Sequence, residues 1–134
     1  MKEDDIGVWI DEREALIVSY NSGLIKLKRL YSEVESYHVT GGAGSSTPYG
    51  PQDAVSETGY LRRKKQQLKR YFKLVIQELE SARRIYVLGP AEAKEGLVKD
   101  LVASKEVVYE RLNVETADSM TDNQLKARVS KFFS

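Results

Sequence analysis

Two stretches of the chain hold the side chains best suited to chemistry. The first, Thr40-Gly41-Gly42-Ala43-Gly44-Ser45-Ser46-Thr47-Pro48-Tyr49-Gly50-Pro51-Gln52, is dense in glycine, serine and proline. The second, Leu61-Arg62-Arg63-Lys64-Lys65-Gln66-Gln67-Leu68-Lys69-Arg70-Tyr71-Phe72-Lys73, places seven Lys/Arg within twelve residues. Almost no acid interleaves: Glu57 precedes the run and Glu78 follows it. Pairs at i,i+4 therefore do not explain the composition. On a helix, Arg62, Lys65, Lys69 and Lys73 recur at spacings of three and four and share one side. Such a row can follow a phosphate backbone, and Arg63 adds a further cation, so the expected partner is a polyanion, with RNA first. Tyr60 and Tyr71 either stack on bases or pack at the edge of the core.

Other chemistries find less support. Gly41, Gly42 and Gly44 could cradle an anion with their backbone N–H groups. The stretch lacks the Gly-Lys-Ser/Thr ending of a P-loop and the strand-turn-helix setting of a dinucleotide fingerprint. His38 is the only histidine and has no evident partner nearby in sequence. The absence of cysteine excludes disulfides, thiolate zinc sites and a cysteine nucleophile. Asp11 stands at the end of an apolar run, where a two-metal nuclease would place an acid. No second acid falls on Arg84-Ile85-Tyr86-Val87-Leu88, and Asp118 and Asp122 read as turn and cap residues. No metal site and no cofactor are expected.

The elements that must position these groups follow from periodicity. Ile6–Asp11, Ala15–Tyr20 and Leu24–Leu30 are short apolar or alternating runs separated by the turn signals Asp11-Glu12-Arg13-Glu14 and Asn21-Ser22-Gly23, which predicts an antiparallel meander. A flexible loop is expected over about 40–57, too long for an ordinary connector. From about Glu57 to Glu80 the period becomes helical, with Leu61, Leu68, Phe72, Val75 and Leu79 on one face. Arg84–Leu88 reads as a buried strand stopped by Gly89-Pro90. Ala91–Ala103 reads as a helix with Ala93, Leu97, Val98 and Leu101 inward, and Val107–Leu112 as a fifth strand. Thr121 caps a last helix whose stripe is Leu125, Val129, Phe132 and Phe133. The order β-β-β-α-β-α-β-α, with right-handed crossovers, gives an α/β fold. Its mixed five-stranded sheet takes the order 3-2-1-4-5, a ribonuclease H-like topology with three helices.

With 134 residues, 41% of them apolar and 31% charged, the whole of 1–134 is expected to form a single domain with an ordinary core. A formal net charge of +1 means that any affinity for nucleic acid comes from local clustering. No apolar run approaches the roughly 20 residues of a membrane span, and the acidic start Met1-Lys2-Glu3-Asp4-Asp5 is unlike a signal peptide, so a cytoplasmic location is expected.

Several segments, in order, carry a resemblance: Gly7-Val8-Trp9-Ile10-Asp11 with Ala15-Leu16-Ile17-Val18, the glycine loop, the basic helix, Ile85-Tyr86-Val87-Leu88-Gly89-Pro90-Ala91-Glu92-Ala93-Lys94, and Asp118-Ser119-Met120-Thr121-Asp122-Asn123-Gln124-Leu125. Together they resemble the middle domain of the archaeal and eukaryotic class-one peptide-chain release factors and of the rescue factor Pelota, in a divergent bacterial branch. The resemblance implies a translation-linked module facing the ribosome, its rRNA or tRNA, which either stands alone or borrows the codon-reading and partner-binding functions from a protein partner. In that family a Gly-Gly-Gln tripeptide before the basic helix helps water attack peptidyl-tRNA. Here Gly41-Gly42 is followed by Ala43, and Gly50-Pro51-Gln52 has proline where the second glycine belongs. Proline fixes φ near −65° and removes an N–H, so the backbone cannot take a glycine-only geometry. The expected function is RNA or ribosome binding without hydrolysis. The alternatives are an active peptidyl-tRNA hydrolase using Gln52, and a protein-interaction scaffold.

Overall fold

Eight elements follow one another in the computed structural model, which describes residues 4–34 and 50–134, the side chains of 50–57 excepted. β1 (Asp4–Ile10), β2 (Glu14–Asn21) and β3 (Leu24–Tyr31) form an antiparallel meander. They are followed by α1 (Gly50–Glu78), β4 (Ala82–Gly89), α2 (Ala91–Ala103), β5 (Arg111–Thr116) and α3 (Asp122–Phe133). β4 runs parallel to β1 and β5 parallel to β4, so the sheet order is β3-β2-β1-β4-β5. The α/β class, the mixed five-stranded sheet and the element order are those the sequence predicts.

Alternation along the strands decides which helix covers which face. Val8, Ile10, Ile17, Ile85 and Val87 form one buried cluster with residues of α1 and α2. Their neighbours Trp9, Leu16, Val18, Tyr86 and Leu88 form a second cluster with Leu125, Val129 and Phe133 of α3. Both faces are thus covered at β1 and β4, which explains their nearly continuous apolar sequence. The β2–β3 hairpin closes on Ser22 and Gly23, with φ of 52° and 85°. Positive φ at both residues gives the turn twist that suits a two-residue hairpin. At the far end of β4, Gly89 has φ of 140° and lies against the Ile10 carbonyl, where a side chain would collide with backbone. Thr121 and Gln124 form a reciprocal capping box at the start of α3, as its sequence predicts.

Two boundaries differ from expectation. α1 begins at Gly50, so residues 50–57 of the expected loop are helical, and it ends at Glu78. Pro51 is tolerated because it falls in the first turn, where no intrahelical N–H bond is lost and its fixed φ is already helical. The rest of that loop, with Gly41, Gly42 and Gly44, and His38 before it, lies outside the described residues. The fifth strand is Arg111–Thr116 rather than Val107–Leu112. Val107 is buried in the cluster beneath α1 and α2, from the connection that precedes β5. A short apolar run reads the same whether it pairs in a ladder or plugs a core. Among the described residues no helix is long and apolar enough to cross a membrane.

Candidate nucleic-acid interface

One side of α1 is fixed by packing. Tyr71, Phe72, Val75, Ile76 and Leu79 are buried in the core. α2 approaches closely enough that a Cβ on Gly96 would lie 2.7 Å from Phe72 Cε2. The Tyr71 hydroxyl donates to the Asp11 carbonyl at 3.0 Å. Burial, with the charges of Asp11 and Glu14, pushes this phenol well above its ordinary range. Tyr60 is also buried, so both tyrosines belong to the packed side, and neither is presented for base stacking. Leu61, expected on the apolar stripe, is 55% exposed. The cause is length: at 1.5 Å per residue α1 runs about 43 Å, whereas an eight-residue strand covers about 26 Å. The N-terminal half of α1 cannot all lie over the sheet.

A flank of the helix beside this packed side, on the side of Ile76, is cationic. Arg62, Lys65, Lys69 and Lys73 are exposed, and at 3.6 residues per turn they fall within an arc of about 80°. The expected row exists. Arg63 does not join it: its guanidinium folds back along the helix, with Nη1 3.3 Å from where a Gly59 Cβ would stand, roughly a quarter-turn or more from its neighbours in the row. Lys64 is committed elsewhere, its Nζ 3.2 Å from Glu12. That hydrogen bond raises the Lys64 pKa against the opposing effect of burial. Lys28 of β3 pairs with Glu78 at 2.7 Å, so the acid that follows the basic run is neutralised from the sheet.

Towards its C-terminal end the row borders a groove of about 390 Å³ between α1 and the end of α2. Lys69, Lys73 and Ile76 form one wall, and Asp100, Lys105 and Glu106 contribute to the rest. Two acids therefore stand beside two of the four cations, Lys69 and Lys73. Lys105 is a cation that sequence reasoning missed. It is an isolated lysine in a connection, and only the packing of α2 against α1 brings it near Lys69.

The remaining candidates have structural positions. Gly50 opens α1 and the backbone of Gln52 lies in its first turn; the Gln52 side chain lies outside the described residues. Asp11 accepts from the backbone N–H groups of Arg13 and Glu14, both at 2.8 Å, and so shapes the β1–β2 turn. The Asp118 carbonyl accepts from Trp9 Nε1 at 3.1 Å, and Asp122 pairs with Arg29 at 2.7 Å. Among the described residues no three of His, Cys, Asp and Glu are grouped so as to hold a metal ion.

No protein-family model matches the chain, and no curated protein matches its sequence. Solved structures do. The chain is similar to the Pelota protein of Thermoplasma acidophilum, with 16% identity and a TM-score of 0.51 over 96% of this chain and 32% of that one. It is also similar to the archaeal translation termination factor aRF1, with 12% identity and a TM-score of 0.51 over 98% of this chain and 39% of that one. What is shared is the fold. The chain spans a third or somewhat more of the length of these two proteins.

Proposed function

We propose that residues 1–134 form a module like the middle domain of release factors and Pelota. In this reading the module binds ribosomal RNA or tRNA through α1, in the cytoplasm, in ribosome rescue, hibernation or a related step of translation. The observation that carries this reading is the exposed row Arg62, Lys65, Lys69 and Lys73 along the flank of a helix that is packed into the core through Tyr71, Phe72, Val75, Ile76 and Leu79. A packed helix suits a phosphate backbone, because its backbone needs no further ordering and only the exposed side chains must settle onto successive phosphates. The likeness of fold to a translation termination factor and to Pelota supports a translation setting.

Cosedimentation with purified ribosomes across a salt series tests the proposal. RNA contact predicts binding that falls steeply between about 50 and 200 mM salt. Absence of ribosome and tRNA binding even at low salt would refute it and promote the protein-interaction scaffold.

A further inference from the structure

A second cationic site lies at the opening ends of β4 and β5. A depression of about 390 Å³ is lined there by Arg83, Arg84, Glu110 and Arg111. Its construction begins with an irregularity in the β1–β4 ladder. Ala82 is level with Asp4 and Arg84 with Asp5, so Arg83 is an extra residue on β4. Consecutive residues of a regular strand point to opposite faces; a bulge re-aims one of them. Here both Arg83 and Arg84 turn to the same buried carboxylate. Arg84 holds Asp5 with two hydrogen bonds, Nε to Oδ1 at 2.9 Å and Nη2 to Oδ2 at 2.6 Å, while Arg83 Nη2 reaches both oxygens at a long 3.4 Å.

The arginines have donors to spare. Arg84 also donates to the Phe133 carbonyl at 3.3 Å and stands 5.2 Å from the Phe133 ring centre, so its guanidinium is fixed in place. Among the described residues the Arg83 side chain has the long bonds to Asp5 and an ion pair with the exposed Glu110 at 3.7 Å. Arg111 is level with Arg84 on the neighbouring strand, which puts the two side chains on one face. Arg111 is exposed, and no hydrogen bond or ion pair to its side chain is present among the described residues. Three guanidinium groups thus face two carboxylates, one of which is buried and already shared. Adjacent like charges repel unless an anion lies between them. Bidentate N–H forks match the oxygens of a phosphate group.

We propose that this depression is an oxyanion subsite for a phosphate group, with Arg111 and Arg83 as its clamps and Arg84, fixed by Asp5, as its floor. The ligand chemistry is a phosphate, whether free as an oligophosphate or carried in an RNA backbone. The site is separate from the cationic row of α1 and does not depend on it.

The test uses the full chain at constant ionic strength, titrated with inorganic pyrophosphate and, separately, with a short single-stranded RNA. Arginine Nε–Hε signals report the site by NMR, and calorimetry reports affinity. Pyrophosphate should move the Arg111 and Arg83 signals, and Arg111→Ala should weaken pyrophosphate binding at least tenfold while leaving the melting temperature within about two degrees. Arg111→Lys should retain only part of the affinity, because the charge stays and the fork is lost. A parallel loss of RNA affinity in Arg111→Ala would assign the phosphate to a nucleic acid, and unchanged RNA affinity would assign it to a free oligophosphate. Unmoved arginine signals, together with equal RNA affinity of wild type and Arg111→Glu, would overturn the subsite. Arg62→Ala/Lys65→Ala serves as the control for the α1 row: loss of RNA binding there, with Arg111 variants silent toward both RNA and pyrophosphate, sinks this inference and leaves the α1 reading standing.

Discussion

The Tyr71 hydroxyl and the Asp11 carbonyl, 3.0 Å apart, tie the C-terminal third of α1 to the turn that follows β1. With the burial of Phe72, Val75, Ile76 and Leu79, this bond holds α1 in one rotation about its axis. Tyr71→Phe keeps the ring and deletes the bond, leaving a half-buried carbonyl with one partner fewer. Urea unfolding should show a loss of about 1 kcal/mol. The pH dependence carries a sign as well. The phenol is raised in the folded protein, so its contribution is fully present below the ordinary tyrosine value of 10.0 and is lost as pH rises above it. Wild-type stability should therefore fall more steeply above pH 10 than that of Tyr71→Phe. Identical alkaline limbs would contradict a buried, hydrogen-bonded phenol.

Alanine at Arg62, Lys65 and Lys69 together should weaken binding to ribosomes or tRNA more than tenfold with the fold intact. Each phosphate that is no longer neutralised should flatten the dependence of log K on log salt by roughly 0.7–0.9. Arg63→Ala should do much less, since its guanidinium folds back beside Gly59 and away from the row. Near-ultraviolet circular dichroism checks the fold, and filter binding at several salt concentrations checks the slope. Equal effects of Arg63 and Arg62 would mean that the RNA wraps the helix rather than following one side of it.

The groove acids oppose the same interaction. Asp100 and Glu106 line the groove together with Lys69 and Lys73, so they reduce the potential that a phosphate meets there. Asp100→Asn with Glu106→Gln removes two negative charges while keeping the side-chain shapes. RNA affinity should rise several-fold at low salt, and the gain should shrink as salt screens it. An unchanged affinity would confine the contact surface to Arg62 and Lys65.

Sequence legibility follows the kind of signal each element carries. Strands buried on both faces, such as Ile85-Tyr86-Val87-Leu88, and helices with a full apolar stripe, such as Leu125, Val129 and Phe133, can be read from periodicity. The Thr121 cap can be read because the capping box is local. Periodicity misplaces β5 because Val107 buries itself without pairing, and nothing in the run distinguishes a plug from a ladder strand. The start of α1 escapes it because Gly50 and Pro51 are turn residues in one context and helix-opening residues in another. The cationic row is legible, being a spacing on one helix. The commitment of Lys64 to Glu12, the approach of Lys105 and the bulge at Arg83 are not, because each depends on partners distant in sequence or on strand register.

Asp5 should govern the acid limb of stability. It is buried, which by itself raises a carboxyl pKa, but the hydrogen bonds and charges of Arg84 and Arg83 outweigh burial and hold it below 3.8. The sign follows: stability from a depressed carboxylate is present above its unfolded pKa and is lost as pH falls through the folded one. Asp5→Asn should cost roughly 2 kcal/mol at neutral pH, since it leaves Arg84 without its bidentate partner. The difference between wild type and Asp5→Asn should narrow below about pH 4. A difference that stays constant down to pH 2 would show that the carboxylate is not the group holding the arginines.

The last prediction concerns hydrolysis. Release-factor chemistry depends on a glutamine presented by a backbone that glycines keep adaptable. In this chain the near-match Gly50-Pro51-Gln52 forms the first turn of α1, where the backbone is helical and Pro51 locks its own φ. A helical first turn places its residues at fixed 1.5 Å steps along an axis and does not let one of them extend toward a reacting ester. Tyr71 is buried and tied to Asp11, and Lys64 is held by Glu12. Purified protein added to ribosomes carrying peptidyl-tRNA should release peptide no faster than buffer, and Gln52→Ala should change neither that rate nor ribosome affinity. Replacing Pro51 with glycine restores the tripeptide and tests whether the proline is the only obstacle. Release by wild type that vanishes in Gln52→Ala would make this an active hydrolase and would require α1 to unwind its first turn on the ribosome.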